Sequence, residues 1–417
     1  KDREKILWKI ADLIEANGDE LARLETVDMG KPIRESRNVD VPFVADLFRY
    51  YAGWATKVHG DTLPVRGGHL AYTLREPVGV VGAITPWNFP LLLTSWKVAA
   101  ALATGCTIVH KPAPTTPLTA LKLAELCREA GLPKGVYNVV TSPAPQIGEA
   151  LVAHPGVDKV AFTGSTKVGS LVMQQAAKTL KPVTLELGGK SPLIVFADAD
   201  LKSAAAGAII GIFYNKGEVC AAGSRLFVER KVHDQLVELL IERAKKLNLG
   251  DPLDPNTRMG PVATKNQFDS VLGYIEKGKS EGAKVAAGGV SAKVNGKGWF
   301  VQPTILTGAN NGMTVAREEI FGPVLTVIPF DTPEEALKLA NDSPFGLASG
   351  VYTNDIGRAH KLARGLKAGT VWINMYNLYD PAVPFGGYKQ SGFGRELGEA
   401  ALDGYTQTKS VWVNLPR

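Results

Sequence analysis

The sequence predicts an α/β protein with two lobes, each a doubly wound parallel sheet, and a small β element beside them. Three observations predict it. Short apolar runs alternate with stretches of 3.6-residue periodicity from about residue 78 onward, and the alternation resumes after Glu186. The 44 glycines suit a chain with many tight turns. The run 409–415 alternates with period two, the pattern of an edge strand that a second subunit could extend.

The elements follow in order. Residues 1–58 carry the helical period, first at Ile6, Leu7, Ile10, Leu13 and Ile14, with a break at Asp28-Met29-Gly30-Lys31-Pro32. Residues 60–75 mix Gly, Pro and alternating residues and read as an extended hairpin. Residues 78–84 form a buried strand, 91–102 a helix, 107–111 a strand and 117–130 a helix. Strands at 136–140 and 159–163 follow, the second leading at about Ser165 into a helix. After Glu186 the strands are 193–196, 225–228 and 324–328, and the helices are 201–214, 231–246 and 333–340. Glu186 is expected near the junction of the lobes.

Composition narrows the function classes. A chain of 417 residues can hold two or three domains and a large core. With 47 Lys plus Arg against 41 Asp plus Glu, the net charge is +6, spread without a basic block, which argues against a nucleic-acid partner. The longest apolar stretch, 204–214, is too short to span a bilayer, so no membrane partner is expected. Three cysteines are too few for a disulfide scaffold and point to a reducing compartment, the cytoplasm by default. Because Lys1 opens directly into a helical pattern, an organellar targeting segment ahead of it stays open. The six histidines have no partner at i+3 or i+4, so no metal is expected.

Cys220 carries the sharpest chemical signal. It lies in Asn215-Lys216-Gly217-Glu218-Val219-Cys220-Ala221-Ala222-Gly223-Ser224-Arg225, where small residues leave room for a substrate. Thirty-four positions upstream, Glu186 sits in Leu185-Glu186-Leu187-Gly188-Gly189-Lys190. A thiol for covalent attack and a carboxylate for a later proton step are what oxidation of an aldehyde to an acid requires. Cys106 and Cys127 read instead as small buried apolar residues. Phe162-Thr163-Gly164-Ser165-Thr166-Lys167-Val168-Gly169 places a glycine turn before a helix, whose free N–H groups suit a pyrophosphate. By itself it reads equally as a tight turn. Asn88, in Thr85-Pro86-Trp87-Asn88-Phe89-Pro90, can donate to an oxyanion or simply satisfy its own loop. Lys111 ends a strand and points toward the usual ligand crevice, or lies on the surface. Glu319, in Arg317-Glu318-Glu319-Ile320-Phe321-Gly322-Pro323, alone reads as a solvated turn.

Together and in this order, these segments resemble the NAD(P)-dependent aldehyde dehydrogenase superfamily of the hydrolytic type. The motifs that carry it are residues 86–90, 162–166, 185–192 and 319–324, and Pro384-Phe385-Gly386-Gly387-Tyr388-Lys389-Gln390-Ser391-Gly392. The match runs essentially end to end, although family members usually begin some eighty residues earlier. The resemblance implies a Rossmann-like dinucleotide-binding domain at 1–58 and 78–188, a catalytic domain at 189–390, and oligomerisation segments at 59–77 and 406–417. It implies Cys220 as nucleophile, Asn88 with the Cys220 N–H as oxyanion donors, and Glu186 as activator of water. Lys111 and Glu319 would hold the adenosine-side and nicotinamide-side riboses, and Trp87, Lys97, Gly164, Ser165, Leu187 and Phe321 would complete the cofactor site. Phe89, Trp96, Tyr214, Val219 and Phe385 fall where the family lines its access tunnel, which suggests medium aliphatic or aromatic aldehydes. Family members often carry a Glu three residues after the cofactor lysine, a residue that repels a 2′-phosphate. Here that position is Pro114, so NADP acceptance beside NAD is expected. A homodimer or homotetramer is implied. A CoA-acylating enzyme, or a non-catalytic protein of the same fold, is the alternative.

Overall fold

The computed structural model of the protein describes residues 1–415. Its fold is α/β, with two large sheets. Six strands form the first in the order Gly392–Phe393, Val183–Glu186, Lys159–Thr163, Val80–Ile84, Thr107–Lys111 and Tyr137–Val139, all parallel except the first pair. Lys159–Thr163 is buried at every position because helices cover both faces, hence its nearly continuous apolar run. The chain builds outward from Val80–Ile84 to Tyr137–Val139, then returns to the other side of Val80–Ile84 with Lys159–Thr163. That reversal opens a crevice at the carboxyl ends of the two central strands. Two loops leave from there, one carrying Trp87 and Asn88, the other Gly164 and Ser165.

The second sheet has seven strands in the order Lys284–Ala287, Thr304–Thr307, Val324–Phe330, Arg225–Glu229, Pro192–Val195, Ala348–Tyr352 and Thr370–Ile373; only the first pair is antiparallel. Alternation along Pro192–Val195 divides its side chains. Leu193 and Val195 join the core with helices Leu201–Phe213 and His233–Ala244, while Ile194 joins helices Lys265–Ser280, Pro333–Asn341 and Ile356–Gly365. This central strand is thus apolar on both faces.

The N-terminal helices Asp2–Ala16, Gly18–Met29 and Val41–Trp54 bury Leu7, Ile10, Leu21, Val44 and Phe48 in the same core as helix Pro90–Thr104. Gly30 at φ 78° ends the second helix, at the expected break. A π-helical turn, Ser36–Asp40, precedes the third. The third sheet joins Thr62–Leu63, His69–Pro77 and Thr406–Asn414, all antiparallel. The C-terminal strand pairs along the whole of His69–Pro77 and leaves its other edge open. Residues 416–417 of the expected 406–417 segment lie outside the described residues.

Candidate active site

Cys220 follows the turn Tyr214–Gly217 that closes helix Leu201–Phe213, and precedes strand Arg225–Glu229. Its part-buried side chain forms wall in two cavities, of about 280 Å³ and about 300 Å³. Burial pushes the thiol up to about 12, and the Glu319 and Glu186 carboxylates push the same way. The backbone N–H groups of Ala221 and Cys220 oppose them.

The first cavity gathers Trp87, Asn88, Gly164, Ser165, Leu187, Glu319 and Phe321 around Cys220. Asn88 is buried, and its Nδ2 donates to the Glu218 carbonyl at 3.0 Å, which fixes the amide plane. The amide keeps a second N–H to give. Glu319 accepts from the Gly189 N–H at 2.9 Å, and burial raises its carboxyl to about 7. Close approach explains the paired glycines before Lys190. A Cβ on Gly188 would lie 2.1 Å from Glu319 Oε2, and one on Gly189 would lie 2.5 Å from the Cys220 carbonyl oxygen. Phe321 has φ 56°, a strained value for a residue with a side chain, and its ring meets Trp87 edge-on at 5.3 Å.

Lys111 lies elsewhere. It lines a third cavity of about 500 Å³ with Ile84, Phe162, Val168 and Lys178. Its Nζ donates to the Pro112 carbonyl at 3.2 Å, and burial lowers its pKa. Pro114 is exposed on the following loop. The first and third cavities flank the turn into helix Thr166–Ala177, where Ser165 Oγ caps the Val168 N–H at 3.3 Å. A dinucleotide laid across both would set its pyrophosphate at the positive end of that helix.

Glu186 closes strand Val183–Glu186 and lines neither cavity that Cys220 shares. Its carboxyl packs against Gly386, where a Cβ would come within 2.8 Å of Oε1, and its buried Oε2 has no partner. Burial, and then Glu396, push it well above the carboxylate range, against the pull of Lys97 and Arg395. Lys97 is likewise absent from the cleft wall. Its buried Nζ donates to Thr163 Oγ1 at 2.7 Å and pairs with Glu396 at 2.5 Å. Glu396 was not singled out in the sequence. Its signal was a charge pair, Arg395-Glu396, inside a glycine-rich loop just beyond the quoted motif.

The second cavity is the tunnel side. Phe89, Trp96, Tyr214, Val219 and Phe385 line it, together with Phe43 and Tyr379, which the sequence did not mark. Phe89 stacks on Tyr214 at 6.1 Å; Trp96 and Tyr379 meet Phe385 at 5.4 and 5.5 Å. No group of three or more His, Cys, Asp or Glu able to hold a metal occurs among the described residues.

A doubly wound sheet that aims a helix N-terminus at a cleft ending on a thiol defines a dinucleotide-dependent oxidoreductase. Comparison with known proteins sharpens this. The aldehyde dehydrogenase family model matches residues 1–411. The DhaS protein of Bacillus subtilis is 54% identical over 413 residues, covering 99% of this chain and 83% of its own. The mitochondrial aldehyde dehydrogenase of Rattus norvegicus is 50% identical over 417 residues, covering 100% and 80%. The NAD+ complex of the aldehyde dehydrogenase from Bacillus cereus superposes with a TM-score of 0.98 at 54% identity, covering 99% and 84%. The chain belongs to the aldehyde dehydrogenase family. It is an enzyme that oxidises aldehydes with a nicotinamide dinucleotide.

Proposed function

We propose that the chain oxidises medium aliphatic or aromatic aldehydes to acids through a covalent intermediate on Cys220. One observation carries this reading: Cys220 belongs to the walls of both the cleft and the tunnel, so one sulfur serves both sides. The Cys220 sulfur gives its proton to water and attacks the carbonyl carbon, forming a thiohemiacetal. The Asn88 amide and the Cys220 N–H hold the oxyanion. A bound nicotinamide, held in the cleft by Glu319 and Phe321, would supply the acceptor for the aldehyde hydrogen and its electron pair. What remains on Cys220 is a thioester. Glu186 turns from Gly386, takes a proton from water, and the resulting hydroxide attacks the thioester. The C–S bond breaks, the acid leaves, and the proton held by Glu186 returns to the sulfur to restore the thiol.

The residues present fit the dinucleotide. Glu319 and Lys111 face the two halves of its site, and Gly164 and Ser165 mark the turn between them. With Pro114 where a repelling carboxylate would stand, and Lys178 beside Lys111 in the third cavity, the site accepts NADP as well as NAD. Residues 1–58 and 78–188 serve as the dinucleotide domain and 189–390 as the catalytic domain. The open edge of Thr406–Asn414, where Trp412 is 64% exposed, supports assembly as a homodimer or homotetramer. Among the described residues no helix is long and apolar enough to cross a membrane, and a cytoplasmic location agrees with the free cysteines.

The test is cofactor reduction on the purified chain with a panel of aldehydes, with and without CoA. Turnover with both NAD and NADP, independent of CoA, is expected. A preference for NAD above about a thousandfold would contradict the Pro114 argument, and turnover only with CoA would replace the hydrolytic reading.

A further inference from the structure

The loop that delivers Cys220 contains three successive left-handed residues: Asn215 at φ 45°, Lys216 at φ 60° and Gly217 at φ 74°. Gly217 is at ease there, and its backbone presses on the next segment; a Cβ would fall 2.2 Å from the Gly322 carbonyl oxygen. Asn215 and Lys216 are not at ease. Such conformations persist only where the surroundings over-determine them.

The surroundings here are buried and charged. The Asn215 N–H donates to Glu35 at 3.1 Å, and its side chain donates to the Asn88 backbone carbonyl at 2.7 Å. Lys216 Nζ donates to the Met29 carbonyl at 3.0 Å and lies 2.9 Å from Glu218 Oε2. Glu218 Oε1 accepts from the Ala263 N–H at 3.0 Å. Both side chains are closed to solvent, at 1% and 0% exposure. Lys31 and Glu35 are the other titratable groups that act on the pair. Neither Lys216 nor Glu218 lines the cleft or the tunnel. Yet the Glu218 carbonyl is the acceptor that fixes Asn88 Nδ2, and Cys220 comes two residues later.

We infer that Lys216 and Glu218 are positioning residues for the reaction: their buried ion pair holds the left-handed turn, and the turn sets both the Asn88 amide and Cys220. This rests on Asn88 as an oxyanion donor. A hydrophobic anchor would hold a turn as firmly, but it would not tie the turn to three separate segments at Met29, Ala263 and Asn88. Removing one partner leaves an unpaired buried charge and lets the turn relax, whereas a neutral amide pair keeps the hydrogen bonds without the charge.

The experiment compares Lys216→Gln, Glu218→Gln, the double variant and Asn88→Ala by kcat, aldehyde KM, cofactor Kd and thermal melting. Each single charge variant should lower kcat by ~10–100-fold, the scale of small misplacements, with KM and Kd within about 3-fold of wild type. The double variant should recover kcat to within about 5-fold. A folded Glu218→Gln protein at the wild-type rate, beside a slow Asn88→Ala, overturns the inference alone. An unaffected Asn88→Ala overturns the oxyanion assignment and this inference with it. If neither single variant folds, the double decides: recovery supports the pair, and a folded double variant slowed ~10²–10³-fold, as if an oxyanion donor were lost, refutes it.

Discussion

The two cavities that meet at Cys220 are built by different means. The cleft is shaped by backbone: glycines 188 and 189 admit Glu319 and the Cys220 loop, Phe321 holds a left-handed φ, and a capped helix supplies its positive end. The tunnel is shaped by rings, with Phe89 on Tyr214 and Trp96 and Tyr379 on Phe385. A backbone-shaped site depends on single atoms, so a change there acts on the rate. A ring-packed wall shares its contacts among many side chains, so a change there grades affinity and selects among substrates.

The largest expected effect comes from the carboxylate behind the cleft. Glu186→Gln should lower kcat by ~10²–10⁴-fold while the first turnover still reduces a stoichiometric burst of cofactor, because only thioester hydrolysis loses its base. The same variant tests the charge state. Since burial raises the Glu186 carboxyl, its ionised form gains with pH, so wild-type kcat should climb toward alkaline pH and the variant should lose that climb. Loss of the burst together with turnover would break the division of labour between sulfur and carboxylate.

A smaller effect belongs to the tunnel. Phe385→Leu should raise KM for aromatic aldehydes by ~3–10-fold and leave small aliphatic aldehydes and kcat nearly untouched. An equal fall in kcat for every aldehyde would show that the two walls are not separable. Phe385 is a demanding choice, because its backbone pairs with Glu396, the partner of Lys97.

The smallest effect concerns stability behind the Cys220 loop, where Glu35 accepts from the Asn215 N–H. Burial raises Glu35 to about 8, so the folded protein keeps a proton that the unfolded chain releases near ~4.3. The folded state therefore binds more protons between those values. The stability this contributes is complete below the lower value and is lost as pH rises through the upper one. Glu35→Gln should flatten the fall of Tm over that window and raise Tm at pH ~9 by roughly 1–3 °C. A Tm profile parallel to wild type would show that Glu35 is ionised in the fold.

Much of this was legible before folding was considered, for reasons that differ by element. Strands 107–111 and 159–163 were placed to the residue because each is a short apolar run bounded by turn residues. Helix Gln146–Ala153 was missed because only Val152 is buried in it, so it has no apolar stripe to read. Helix Ile356–Gly365 has a stripe, yet it buries only Ala359 and Leu362 beneath a charged exterior. The cleft residues Asn88, Gly164 and Glu319 read ambiguously one by one, and only the family resemblance of the ordered motifs placed them together. Glu396 was not legible, because its pairing with Lys97 joins distant segments and leaves no local pattern. Lys97 shows the same limit: its sequence position fits a cofactor contact, but Glu396, 299 residues away, holds its ammonium.

The depth at which Cys220 sits has a bearing on how the enzyme ages. Burial disfavours the thiolate of Cys220, and thiolate is the form that reacts with peroxide and stray alkylating agents, so the resting sulfur reacts more slowly than an exposed one. The burial that makes the sulfur slow on its own also slows its oxidative wear in the idle enzyme.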